Sequence, residues 1–398
     1  MKDINEQLSS KTVAIRPSGI RKFFDIVSTM KDAISLGVGE PDFDTPWPIR
    51  EEGIYSLERG RTFYTSNSGL FELKAEIARY LERRFGVPYD PNSEITVTVG
   101  GSEGIDLAFR AMLNPGDEVI IPQPSYVSYE PCVVLADGVP VILELKEKDR
   151  FKLMPEDLRA KITPKTKMLV LPFPNNPTGS VMTREELEAI AEVVIENDLY
   201  VISDEIYTEL TYTGEDPASI TQIPGMRDRT ILINGFSKAY AMTGWRIGFL
   251  AAPKWIVSAC NMLQGQYTSG PCSISQKAAE AAWNGPQTCV EEMRQAFERR
   301  RNLLVGLLRE IPGLEVAVPE GAFYLFPRCS SYFGKTDGTR VIRTSTDLAM
   351  YLLEVGHVAT VGGDAFGAPD YIRLSYATSE ENIVEAAKRM AEALSRLK

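Results

Sequence analysis

Short, mostly apolar runs recur along the chain, separated by longer stretches whose apolar positions fall three and four residues apart. The runs Ile95–Val99, Glu118–Ile121, Met168–Leu171, Tyr200–Ser203, Ile231–Ile233 and Ile247–Leu250 predict buried strands. Between the strands, Leu70, Leu73, Ile77, Leu81 and Phe85 share one helical face, and Gly86 and Pro88 end that helix. Thr183 with Glu186 has the pattern of a capping box, ahead of Leu187, Ile190 and Val194 on an apolar face. Alternating strands and helices predict an open, mostly parallel α/β sheet. After residue 287 the pattern changes. A long helix is expected over Glu291–Ile311, stopped by Pro312-Gly313. Short strands follow at Ala322–Phe326 and Tyr371–Tyr376, then a helix over Glu380–Leu397. This reads as a second, smaller α+β unit, joined through the turn signal Asn284-Gly285-Pro286.

A chain of 398 residues is long enough for two or three domains, and 44% hydrophobic with 24% charged residues is ordinary for a globular protein. The net charge of -11 argues against a nucleic-acid partner, and Arg299-Arg300-Arg301 reads as a solvated helix face. The N-terminus lacks the apolar core of a signal peptide, and no apolar run approaches the length of a membrane span. Five scattered cysteines without CxxC spacing fit reduced thiols in a cytoplasmic protein. Cys260 and Cys272 are expected to pack. The single histidine, His357, excludes a metal site built on several imidazoles, so no metal is expected.

Four loops at strand ends carry candidate chemistry. Gly100-Gly101-Ser102 joins a strand to a helix, where free amides and the helix dipole suit a phosphate; a tight turn alone is the plainer alternative. The spacing is not G-x-G-x-x-G, which argues against a dinucleotide enzyme. Phe173-Pro-Asn-Asn-Pro-Thr-Gly179 forms an irregular loop where open α/β sheets bind ligands, although it too could be only a turn. Asp204 closes a buried run and needs a cationic or hydrogen-bonding partner, unless it caps the next segment; Tyr207 could share a helical face with it. Lys238 leaves a buried strand, where burial would lower its pKa and make it a nucleophile toward aldehydes. Arg246 adds a second cation. An amine, an acid and a phosphate site are together what pyridoxal phosphate requires.

The whole set resembles the class I/II, fold-type-I aminotransferases over nearly the full chain. The motifs are Gly37-Val-Gly-Glu-Pro-Asp-Phe43, Tyr64, Gly100-Gly101-Ser102, Asn176-Pro-Thr-Gly179, Asp204-Glu-Ile-Tyr207, Ser237-Lys238, Arg246 and Tyr371-Ile-Arg-Leu-Ser375. The resemblance implies a large cofactor domain with a seven-stranded type of sheet over 46–287. It implies a small domain over 288–398, completed by an N-terminal arm within 1–45. It implies pyridoxal 5'-phosphate held as a Schiff base on Lys238, which also shuttles the proton in a ping-pong reaction. Asp204 would hold the ring nitrogen protonated, Tyr207 and Asn176 would bond the phenolic oxygen, and Tyr126 would stack on the ring. Gly101, Ser102, Ser237 and Arg246 would cradle the phosphate, and Tyr64 would reach the phosphate of a neighbouring subunit in a homodimer. Arg373 would clamp the substrate carboxylate, assisted by the Gly39 backbone.

The substrates expected are an L-amino acid and a 2-oxo acid. Dicarboxylate-specific relatives use a further cation, but Ser102 stands where one subgroup has lysine, and Cys260–Gln276 contains no Lys or Arg. Together with Ser18-Gly-Ile-Arg-Lys-Phe-Phe24 and Ala239–Trp245, this favours an aromatic or large neutral donor, with 2-oxoglutarate as acceptor. Aspartate, alanine and N-acetyl-diaminopimelate stay open as substrates. A carbon–sulfur β-lyase and a non-enzymatic cofactor sensor are the alternatives in class.

Overall fold

The computed structural model describes residues 7–15, 30 and 32–398; the segment Ser18–Phe24 lies outside them. In chain order the strands are β1 (Ile34–Ser35), β2 (Ile95–Thr98), β3 (Glu118–Gln123), β4 (Val139–Glu144), β5 (Thr166–Leu171) and β6 (Tyr200–Asp204). They continue as β7 (Thr230–Gly235), β8 (Gly248–Ala251), β9 (Tyr324–Leu325), β10 (Val358–Ala359), β11 (Val361–Gly362) and β12 (Ile372–Ser375).

Seven of these form one sheet in the order β2-β8-β7-β6-β5-β3-β4. Only β8 runs antiparallel to its neighbours, so the sheet is mostly parallel, as the alternating pattern predicts. Side chains alternate between two apolar layers. Ile231 and Ile233 pack beneath the helices Gly100–Met112 and Lys254–Tyr267, while Leu232 meets Val97, Phe249 and Trp283 on the opposite face. Within this sheet the strand absent from the sequence reading is β4. Of its residues only Leu143 is buried, and Pro140 argues against a central strand; it lies at the sheet edge, where a proline is tolerated.

The predicted capping box is present: Thr183 Oγ1 accepts from the Glu186 amide, and Glu186 bonds the Thr183 amide at 2.8 Å. The helix Phe71–Phe85 ends at Gly86, as the spacing requires. After residue 287 the long helix spans Thr288–Arg309 and the last helix Glu380–Leu394. They share a core with β9 and β12 through Phe297, Leu304, Leu325, Leu374, Ile383 and Met390. The N-terminal segment belongs to that core, because β1 pairs with β10 and Leu36 is buried in it. Its continuation, Gly37 to Glu40, therefore lies where the C-terminal elements meet the large sheet.

Among the described residues no helix is long and apolar enough to cross a membrane. The Cys260 side chain is buried as expected; Cys272 is exposed just before the helix Ser273–Asn284, so its packing role is corrected. All five thiols are unpaired.

Candidate active site

Connections at one edge of the large sheet close around a cavity of ≈ 300 Å³. Gly101 and Ser102 follow β2, Tyr126 follows β3, and Asn176 follows β5. Asp204 ends β6, and Ser237 with Lys238 follows β7. Arg246 enters from just before the reversed strand β8. From the C-terminal elements come Tyr324 and Arg373, and from the N-terminal segment Gly39. Thus every expected site residue lines one cavity except Tyr64, which is 95% exposed and stands away from it.

Lys238 is half-buried and donates from Nζ to the Gly39 carbonyl at 2.6 Å. Burial pushes its amine down to about 8; Arg373 and Arg246 act in the same direction, against Glu40 and Asp204. Close to neutrality, the amine thus has a substantial uncharged, nucleophilic fraction.

Asp204 is 8% exposed. It accepts from Tyr129 Oη at 2.7 Å and from the Ile206 amide at 3.2 Å. Burial raises its pKa, opposed by these hydrogen bonds and by Lys238. A protonated ring nitrogen beside it would favour its ionised form. Tyr207 shares a turn, not a helical face, with Asp204, because β6 ends at Asp204 and no helix follows. Its hydroxyl pairs with Tyr324 Oη at 2.8 Å.

Arg373 is 3% exposed. It donates to the Gly37 carbonyl at 2.7 Å and to Asn176 Oδ1 at 3.0 Å, while its Nε has no partner. Burial lowers its pKa. No carboxylate pairs with Arg373, Lys238 or Arg246 among the described residues. Three cations and one acid therefore wall the cavity. A buried guanidinium without an anion is costly, so this charge pattern suits anionic guests.

Two glycines are required by close approach. Gly100 has φ +73°, and a Cβ there would come within 2.5 Å of Arg246 Nη2. A Cβ on Gly39 would come within 2.7 Å of Tyr324 Oη. Both allow backbone to reach the cavity that Ser102, Ser237 and Arg246 line.

Comparison with known proteins decides the family. Residues 31–390 match the family Aminotransferase class I and II. The chain belongs to this family. This aminotransferase is 45% identical to the bifunctional aspartate aminotransferase and glutamate/aspartate-prephenate aminotransferase of Petunia hybrida, covering 99% of this chain and 82% of that one. It is 41% identical to aromatic-amino-acid aminotransferase 2 of Thermococcus litoralis, over 97% of this chain and 98% of the other. A solved aspartate aminotransferase from Rhizobium meliloti superposes with a TM-score of 0.95, at 41% identity, covering 98% of this chain and all of that one. The fold is that of the fold-type-I aminotransferases, and the family's cofactor is pyridoxal 5'-phosphate. The unpaired cations, the nucleophilic lysine and the buried acid of this aminotransferase fit that group.

Two contributors, and the buried Glu205 just outside the cavity lining, were not legible beforehand. Tyr129, three residues beyond Tyr126, bonds Asp204, and the only signal was the repeated Ser-Tyr in 125–129. Tyr324 lay inside a strand that read as core. Glu205, beside Asp204, is 2% exposed. Its Oε1 accepts from Ser203 Oγ at 2.8 Å and Ser219 Oγ at 2.6 Å, while Oε2 has no partner.

Burial pushes the Glu205 carboxyl up from 4.5 to about 7. Since the folded-state value exceeds the unfolded one, its stabilising contribution is complete below about pH 4.5 and is lost as pH rises to about 7. A shift of that size corresponds to about 3 kcal/mol. Glu205→Gln should therefore lose less stability than the parent between pH 5 and 8 in urea unfolding. Identical pH slopes for the two proteins would contradict a protonated Glu205.

Proposed function

We propose that this aminotransferase takes a large neutral or aromatic L-amino acid as donor and a 2-oxo acid such as 2-oxoglutarate as acceptor. The observation that carries the reading is the cation inventory of the cavity. Arg246 stands beside the Gly100–Ser102 turn, Lys238 is the reacting amine, and Arg373 remains for one substrate carboxylate. No fourth cation lines the cavity among the described residues, so a short dicarboxylate would leave its second charge unpaired. The longer chain of 2-oxoglutarate can carry its distal carboxylate toward the open mouth.

In this reading the bound pyridoxal 5'-phosphate supplies the electron sink that makes the substrate Cα–H acidic. The protein's residues position and move the proton. Lys238 Nζ, whose pKa burial brings down to about 8, would in its uncharged form take the proton from the substrate carbon and return it on the cofactor side. Asp204, held by Tyr129 and the Ile206 amide, keeps the ring nitrogen protonated. Tyr126 would stack on the ring, and Tyr207 with Asn176 would bond its phenolic oxygen. Gly101, Ser102, Ser237 and Arg246 hold the phosphate. Arg373 exchanges the Gly37 and Asn176 contacts for a bidentate carboxylate pair, with the Gly39 backbone as a further contact.

A homodimer completes the proposal. Trp47, Ile54, Leu57, Phe63, Phe71 and Met262 leave large apolar surfaces exposed, the kind of surface that a partner covers. Tyr64 then serves the neighbouring site. The same reading divides the chain into a cofactor domain over 46–287 and a small domain over 288–398 with the 1–45 arm. The unpaired thiols support a cytoplasmic location.

The test is a panel of single-turnover half-reactions, following the visible absorbance of the bound cofactor with each amino acid. Phenylalanine, tyrosine, leucine and methionine should each react at least about tenfold faster than aspartate, a difference of about 1.4 kcal/mol. Aspartate reacting fastest would overturn the donor assignment.

A further inference from the structure

The loop between the helices Trp47–Glu58 and Phe71–Phe85 presents Phe63 and Tyr64 to the outside, 82% and 95% exposed. Its backbone is poorly held by itself. Among the described residues, no amide from Phe63 to Ser68 donates a hydrogen bond within the chain. Lys74 Nζ holds its far end through Ser68 Oγ at 2.8 Å, and a fully buried amide side chain on the helix Ser273–Asn284 reaches both Thr65 and Leu70. Gln276 Oε1 accepts from the Leu70 amide at 2.7 Å. Its Nε2 donates to Thr65 Oγ1 at 3.0 Å and to the Pro271 carbonyl at 2.9 Å. Ser273 adds a hydrogen bond to the Arg61 carbonyl at 3.0 Å. Both ends of the loop are thus tied to one helical turn.

The loop is also pressed onto the strand that leads to the phosphate turn. The Val97 amide donates to the Ser68 carbonyl at 3.0 Å. Gly69 has φ +98°, and a Cβ there would overlap Val97 Cγ2 and lie 3.1 Å from Gln276 Oε1. There is no room for the loop to shift inward, and Gln276 limits its shift outward.

We infer that Gln276 is a positioning residue acting in trans: it fixes the loop that delivers Tyr64 to the cofactor phosphate of the partner subunit. This rests on the shared-site dimer proposed above. The buried amide has its hydrogen bonds met within its own chain, so its effect on the neighbouring site passes through loop geometry alone. Losing it lets Tyr64 wander, and a hydrogen bond to a dianionic phosphate is sensitive to such misplacement.

The test uses dimeric holoenzyme and the dissociation constant of pyridoxal 5'-phosphate. Tyr64→Phe should raise that constant about tenfold, corresponding to one charge-assisted hydrogen bond. Gln276→Met should raise it roughly threefold to tenfold, and so should the milder Thr65→Val, which removes the loop-side partner if the buried change hampers folding. The double variant Tyr64→Phe/Gln276→Met should be no worse than Tyr64→Phe alone, because both act through one contact.

Hybrid dimers separate this from a general structural effect. In one hybrid, a Lys238→Ala subunit pairs with a Gln276→Met subunit. The remaining Lys238 then receives Tyr64 from an intact loop, and cofactor trapped on it by borohydride should show parent-like affinity. In the other, Lys238→Ala and Gln276→Met share one subunit and the partner is unaltered; its trapped cofactor should bind weakly. The reverse pattern, or additive losses in the double variant, would overturn the inference. So would parent-like affinity in both hybrids while Tyr64→Phe remains defective. Tyr64→Phe without effect would instead remove the shared-site reading, and this inference with it.

Discussion

Lys238→Ala is expected to lower turnover by at least about 10³-fold while leaving the thermal midpoint unchanged or slightly raised. The size follows from its place in the site. Among the described residues Nζ is the one amine in the cavity wall, and proton transfer by a positioned side chain contributes about 10²–10⁴-fold. The direction of the stability effect follows from burial. Desolvating an amine beside two guanidinium groups, which brings its pKa down to about 8, costs stability, and alanine removes that cost. The Gly39 carbonyl loses a hydrogen bond in exchange. Steady-state rates with a fast donor, alongside calorimetry, check both halves. A variant that retains more than about a tenth of parental turnover would show that another group moves the proton.

Asp204→Ala should be nearly as severe. Breaking a buried charge pair costs about 3–5 kcal/mol, which is roughly 10²- to 10³-fold or more in rate when the pair matters most in the transition state. The alanine also strands the Tyr129 hydroxyl, so part of the effect is structural. Asp204→Asn separates the two. Asparagine carries no charge; its one oxygen can accept from the Ile206 amide while its NH2 donates to the Tyr129 hydroxyl, which can also accept. The expected result is a stable Asn variant with a rate loss close to that of alanine. If Asn restores more than about a tenth of the parental rate, shape rather than charge explains the position.

The strands were readable because β2, β5, β6, β7 and β8 are short apolar runs buried on both faces, and periodicity reports burial directly. β4 escaped because an edge strand need not be uniformly apolar and can hold Pro140. The site residues were readable where chemistry is unusual for its context, as with a lysine or an acid at the mouth of a buried strand. Tyr129 and Tyr324 carry no such signal: a tyrosine in a core looks the same whether its hydroxyl is idle or bonded to Asp204. Glu205 was hidden by its neighbour, since two adjacent acids read as one feature until burial separates their surroundings. Tyr64 is the reverse case. The family motif marks it, yet within a single chain it is 95% exposed and does not line the cavity.

The most direct test of the central claim is borohydride reduction of the holoenzyme followed by peptide mass spectrometry. The account predicts one cofactor adduct per chain, on the peptide containing Lys238, and none on the Lys238→Ala variant. An adduct on another lysine, or a protein that never acquires a reducible cofactor bond, would contradict it.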